Sequence, residues 1–158
     1  MKKVLILTAS FGDGQVYAVT ARPPVMLTAL MAGFSPRERN ADWTWRWMGP
    51  DASWTITNTR ERNVVASLDV ELSAFAGTRH MELRFDTLPV EGVQTLVVTS
   101  ERHTYRIGPM SVAPGDHELL FHSVEAPTVA ASVIGNSDTR PLSFAVGAWS
   151  WDTPQEQP

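Results

Sequence analysis

From residue 44 onward, apolar and polar side chains alternate with a period of two over short stretches separated by turn residues. This is the pattern of antiparallel strands with one face in a core and the other in water. The clearest stretch is Val64 to Ala74, where Val64, Ala66, Leu68, Val70, Leu72 and Ala74 share one face and Ser67, Asp69, Glu71 and Ser73 the other. After a Gly77-Thr78 turn, Met81, Leu83 and Phe85 alternate with Glu82, Arg84 and Asp86 in a second strand of the same kind. Further strands are predicted over 54–58, 94–99, 104–107, 118–124 and 143–151. Between them lie Leu88-Pro89, Gly108-Pro109, Pro114-Gly115-Asp116 and Gly135-Asn136-Ser137-Asp138, turn signals set by the φ preferences of glycine and proline. About eight short strands at this spacing, with almost no helical periodicity, predict an all-β fold, a jelly-roll-like antiparallel β-sandwich.

The first 32 residues do not share the pattern. Lys2 to Ala9 reads as a strand that Gly12-Asp13-Gly14 breaks, and no period follows up to Pro23-Pro24. The chain therefore divides into an extension of uncertain structure over 1–32, a sandwich over 33–152 and a disordered tail over 153–158. The apolar runs 4–9 and 25–34 are too short to cross a bilayer, so no transmembrane or targeting segment is expected.

The 158 residues suit one domain with one sizeable core. A net charge of −4 with no basic run offers no seat for a phosphate backbone, so nucleic acid is not an expected partner. With no cysteine there is neither a disulfide framework nor a thiol nucleophile.

Six tryptophans change the picture most. Trp43, Trp45 and Trp47 occupy alternate positions, as do Trp149 and Trp151, so each set lines one strand face. Indoles either fill a core or stack on a flat ligand such as a sugar ring. Trp47 and Trp54 fit core-facing positions. Trp43 follows polar residues at a strand start, and Trp149 and Trp151 fall on the opposite face from Phe144 and Val146, which makes Trp43, Trp149 and Trp151 the candidate stacking residues.

Other chemistry is sparse. His117 and His122 stand five apart, one more than the helical zinc signature needs, and in a strand they face opposite ways, so no metal site is expected. His80 and His103 sit beside turns and read as solvated. Asp69 and Glu71 would lie about 7 Å apart on a polar strand face, with nothing to hold either carboxyl protonated. No Gly-x-Ser-x-Gly elbow is present. The expectation is a non-catalytic chain without a cofactor.

Two resemblances bear on function. Lys2 to Gly14, KKVLILTASFGDG, is similar to the opening of the monogalactosyl- and glucosyl-diacylglycerol synthase family, although Gln15 stands where that family usually has histidine. It implies a fragment of a nucleotide-sugar-dependent glycosyltransferase, an alternative that requires an amphipathic helix after Gly14 which the sequence does not supply. The second covers about residues 33–150: Gly33-Phe34 to Glu38, Arg46-Trp47 and Asp138-x-Arg140-x-Leu142. These resemble the extracytoplasmic β-sandwich module of bacterial polytopic membrane glycosyltransferases that use lipid-linked sugars, with Ser35 in place of an aromatic and Ser143 in place of glycine.

That resemblance implies an accessory module, extracytoplasmic or membrane-associated through a partner or parent chain. It would bind glycan or pack on a membrane-embedded glycosyltransferase. A purely structural protein-interaction domain is the remaining alternative. The balanced signs of Glu38, Arg46, Asp138 and Arg140 suggest one polar cluster at the rim of a cleft.

Overall fold

The computed structural model describes residues 4–11, 14–20, 24–86, 88–89 and 95–154, with side chains from residue 24 onward except at 30–31 and 88–89. Its elements are β1 (Val4–Phe11), β2 (Gly14–Thr20), β3 (Met26–Phe34), β4 (Glu38–Arg39), β5 (Thr44–Asn58), β6 (Val64–Ala74), β7 (Arg79–Phe85) and β8 (Leu88–Pro89). There follow β9 (Thr95–Val98), β10 (His103–Val112), β11 (Gly115–Ser123), β12 (Thr128–Val129), the one-turn helix α1 (Ala130–Ile134), β13 (Pro141–Leu142) and β14 (Phe144–Asp152).

Every described strand pair is antiparallel. Ten strands form one curled sheet ordered β10-β6-β14-β5-β11-β7-β8, with β3 and β4 along the other edge of β5 and β9 beside β7. The curl comes from β5, which changes partner midway: Arg46 to Met48 pair with β14, and Asp51 to Asn58 pair with β11. Gly49-Pro50 lies between the two registers. One strand thus belongs to both layers of a sandwich, β10-β6-β14-β5 facing β7-β11-β5-β3.

The core lies between the layers and follows the period-two pattern. Leu68, Val70 and Leu72 of β6 are fully buried, as are Trp54, Ile56, Leu119 and Phe144. Each such side chain contributes about 1.5–3 kcal/mol when removed from water. Trp54 meets Phe121 at 5.0 Å between ring centroids and Phe34 at 6.4 Å.

Four readings of the sequence change. The stretch 54–58 is the second half of the 15-residue β5, because the chain bends at Gly49-Pro50 without losing its pairing. Gly108-Pro109 is an irregularity inside β10, where Gly108 has φ +101°, a value that favours glycine. The sandwich also begins earlier than residue 33, since β3 pairs with β5 from Met26, which is buried. As a strand with an apolar face on each side, β3 shows no alternation, which is why it reads as featureless.

The fourth concerns β14. Between Val146 and Trp149 the register against β6 slips by one residue, so Val146 faces Leu72 while Trp149 faces Val70 and Trp151 faces Leu68. A bulge reverses the parity of everything beyond it. Trp149 and Trp151 therefore lie on the same face as Phe144 and Val146, not the opposite one.

β1 and β2 pair with each other in a separate two-stranded sheet. Gly12 and Asp13, at the centre of the first resemblance, lie outside the described residues, as does most of the expected tail over 153–158. Among the described residues no helix is long and apolar enough to cross a membrane.

Candidate functional site

Where β14 bulges, the sheet opens. β14 follows β5 only from Phe144 opposite Met48 to Val146 opposite Arg46, then continues along β6 alone. The opening between the start of β5 and the bulge is a cavity of about 500 Å³. Trp43, Trp45 and Arg46 form its β5 side, and Gly147 to Trp149 its β14 side. Phe34, Arg37, Glu71 and Arg102 complete the wall.

The tryptophan ladder stands on the outer face, opposite in parity to the buried Met48. Trp43 and Trp45 stack at 4.9 Å and 23°, Trp45 meets Trp47 edge-on at 6.5 Å, and Trp47 meets Phe75 edge-on at 5.5 Å. Trp47 is half-buried and is not a core residue: it keeps the parity of Trp43, and of the two expected core indoles Trp54 alone is fully buried.

Trp43 is held from several directions. Its indole Nε1–H donates to Glu71 Oε2 at 2.9 Å, and the same oxygen accepts from Ala148 N at 3.3 Å. Asn40 Oδ1 accepts the Trp43 backbone N–H at 2.7 Å. The Arg102 guanidinium lies over the ring, 5.5 Å from its centroid, and donates to Asp42 O at 3.2 Å. The ring expected to be a bare platform is already sandwiched by Trp45 and covered by an arginine, a cation–π arrangement. Gly147 makes this approach possible, because a Cβ there would lie 2.3 Å from Trp43 Nε1 and 2.8 Å from Glu71 Oε2.

The other two candidate indoles differ from each other. Trp149 lines the cavity, is 37% exposed and rests on Trp54 at 4.9 Å and 46°. Trp151 lies outside the cavity, packed against the core with its Nε1–H donating to Thr28 Oγ1 at 2.7 Å. Trp151 thus ties β14 to β3, because the bulge turns it inward.

Of the expected four-residue polar cluster, three members meet. Arg140 donates through Nη1 to Glu38 Oε1 at 2.6 Å, and through Nη2 and Nε to Asp138 Oδ2 and Oδ1 at 2.6 and 2.9 Å. Glu38 also accepts the Trp47 Nε1–H at 3.3 Å. The hydrogen bonds from Arg140 hold the Asp138 carboxyl down at about 2, and Asp138 followed by Glu38 raises the guanidinium above its ordinary value. The cluster fastens β4 to the loop before β13.

Arg46 is not part of it. Its Nη1 donates to Ser35 O at 2.9 Å, while its Nε is buried without an acceptor, as is Trp45 Nε1. Both belong to residues of the cavity wall.

Outside the cavity, the histidines pair with separate carboxylates. His117 meets Asp86 at 2.5 Å, while His122, on the opposite face of β11, meets Asp51 at 2.6 Å. Burial lowers the affinity of His117 for its proton, but Asp86, the Ala113 carbonyl and Asp116 together raise it above the ordinary value. His80 contacts Glu125 at 2.5 Å. Asp69 contacts Arg106, as a solvated strand face allows. Glu71, expected to be solvated beside it, is instead a fixed acceptor of the cavity wall. The signal missed was Gly147, a glycine within an otherwise strand-like run, which marks a close approach or a bulge.

No protein-family model and no curated protein sequence matches the chain. Among solved structures, it is similar to the Podospora anserina GH26-CBM35 β-(1,4)-mannanase, with a TM-score of 0.54 and 9% identity over 84% of this chain and 28% of that one. The chain thus spans less than a third of the length of that protein. A carbohydrate-binding module CBM36 in complex with calcium and xylotriose aligns with a TM-score of 0.44 and 9% identity over 80% of this chain and 98% of that one. A family two carbohydrate esterase from Clostridium thermocellum, in complex with cellohexaose, aligns at 0.44 and 10% identity over 81% and 31%. The likeness to the mannanase is one of fold: an antiparallel β-sandwich.

Proposed function

We propose that this chain is a non-catalytic β-sandwich module that binds glycan in the cavity between the start of β5 and the bulge of β14. The observation that carries the reading is Trp149, an indole 37% exposed in the wall of a cavity of about 500 Å³. An aromatic face backed by a rigid core is what a sugar ring stacks on, and a concave site with a few fixed polar groups orients it. Glu71 supports the non-catalytic part, because its Oε2 is already shared by two donors. The neighbours whose names carry xylotriose and cellohexaose point the same way by analogy only.

That the module serves a membrane-embedded glycosyltransferase on the extracytoplasmic side belongs to the same proposal. It is supported by the resemblance of Gly33-Phe34, Glu38, Arg46-Trp47 and Asp138-x-Arg140 to that family's motifs.

Titration of the chain with an oligosaccharide panel, followed by tryptophan fluorescence, tests the binding. At least one sugar is expected to shift the emission, and Trp149→Ala is expected to weaken it at least tenfold, since stacking on one ring is worth about 1.5 kcal/mol or more. A panel that leaves the wild-type emission unmoved sinks the reading.

A further inference from the structure

The arginines of this protein are held in more than one way, and buried Arg79 donates to the Phe75 and Ala126 carbonyls and to Thr128 Oγ1. Away from the cavity, Arg84 contacts Glu82 at 3.2 Å, Arg106 contacts Asp69 at 3.0 Å, and Arg140 contacts Glu38 and Asp138 at 2.6 Å. In the cavity wall, Arg37, Arg46 and Arg102 have no carboxylate partner among the described residues. Arg46 donates to a backbone carbonyl and leaves its Nε buried and empty. Arg102 lies on an indole and a carbonyl. A chain of net charge −4 therefore gathers three uncompensated guanidinium groups around one opening.

Two carboxylates share the wall, Asp42 and Glu71. Glu71 is turned to Trp43 Nε1 and the Ala148 amide, and Asp42 is exposed on the loop before β5. Neither lies within ion-pair distance of an arginine among the described residues. Arg37 and Arg102 are exposed and Arg46 is half-buried, and the planar fork of a guanidinium matches a carboxylate.

We infer that the ligand brings the missing counter-charge: the cavity takes an anionic glycan whose sugar ring carries a carboxylate, a uronic acid, with Arg46 and Arg102 on the carboxylate and Trp149 on the ring. This rests on the glycan-binding reading above and narrows it. An exocyclic carboxylate lies at the ring's edge, so the C–H face stays free for the indole. That geometry needs cations in the same wall as the platform, and Arg46 and Arg102 share the cavity wall with Trp149.

The test is a set of matched pairs: trimers of galacturonate, glucuronate and mannuronate, each against its methyl ester, with xylotriose, cellohexaose and a sugar phosphate as further arms. Binding is followed by tryptophan fluorescence and calorimetry at two salt concentrations. At least one uronate is expected to bind tenfold or more tightly than its own ester, with the difference shrinking at high salt. Arg46→Gln is expected to remove that preference. Should it fail to fold, the exposed Arg37→Gln and Arg102→Gln are expected to reduce it severalfold while leaving the melting temperature in place.

Equal binding of acid and ester, binding of xylotriose or cellohexaose but of no uronate, or binding of the sugar phosphate alone overturns this inference and leaves the glycan reading standing. No binding in any arm overturns both.

Discussion

Gly147 is held to glycine by its neighbours, since any Cβ there would press into the Trp43 indole and the Glu71 carboxylate. Gly147→Ala is therefore expected to push Trp43 off Glu71, costing about 1–3 kcal/mol of stability as other overpacked sites do. A thermal melt reads the loss of stability, and because Trp43 and Glu71 line the cavity, loss of the ligand-induced fluorescence change reads the disturbed wall. Unchanged melting and binding would show that Trp43 has room to move. Asp138 makes a different prediction. Its carboxyl titrates near 2 in the folded protein against 3.8 in an unfolded chain, so below about pH 4 the unfolded chain takes up the proton first. The stabilisation is full above that range and is lost as pH falls toward 2. Urea titrations between pH 5 and 2 should show a steep acid limb that Asp138→Asn flattens, and parallel limbs would remove Asp138 from the account. His117 bends the curve the other way: its raised affinity for the proton favours the fold below pH 6.5 and fades as pH rises through its folded value.

Among the elements, β14 departs furthest from its sequence, and one residue is responsible. Deleting Ala148 is expected to remove the bulge while leaving Trp149 two places from Val146, so that Trp149 and Trp151 stay on the inner face opposite Val70 and Leu68. Trp151 would then keep Thr28 and Trp149 would keep Trp54, so the emission of the free chain should hold its position, while the opening beside Trp43 closes and the ligand-induced change is lost. A red-shifted spectrum would contradict the parity argument. Alternation alone placed β6 at its observed bounds, Val64–Ala74, and found β7 and β11 to within a few residues, because each has one wet face. It could not find β3, which shows no alternation, nor the joining of the two halves of β5, since Gly49-Pro50 carries the same letters whether the chain turns back or merely bends. Trp47 was misplaced for a related reason: an indole reads as core, yet its parity sets it with Trp43. At the site, Trp43, Arg46 and Trp149 were legible as candidates and do share the cavity. Arg37, Glu71 and Arg102 were not, because they reach the cavity from β6 and from two loops, brought there by pairings that no local pattern encodes. The Glu38, Asp138 and Arg140 cluster was legible from charge balance, and Arg46 was grouped with it because position along a strand does not say which face meets which loop.

In the whole molecule, β5 is the shared strand, carrying the cavity on its first half and the deepest indole, Trp54, on its second. The neighbour that completes its first half is β14, which inserts between β6 and β5. Removing residues 137–158 is expected to leave both of those edges bare, giving a chain that binds a hydrophobic dye and aggregates. Supplying residues 137–158 as a separate peptide should restore solubility and protect β5 amides from exchange. A soluble, exchange-protected truncated chain would mean that β5 and β6 find another pairing. The same topology sets an order of events when the protein is made. Strands β5 and β6 leave the ribosome early and cannot lie side by side without closing the slot that the latest of the sheet's strands must fill. Glu38 waits through 102 positions for Arg140. Between the making of β6 and that of β14 the chain therefore holds an open seam, and whatever keeps that seam apart until β14 arrives decides how much protein reaches its working shape.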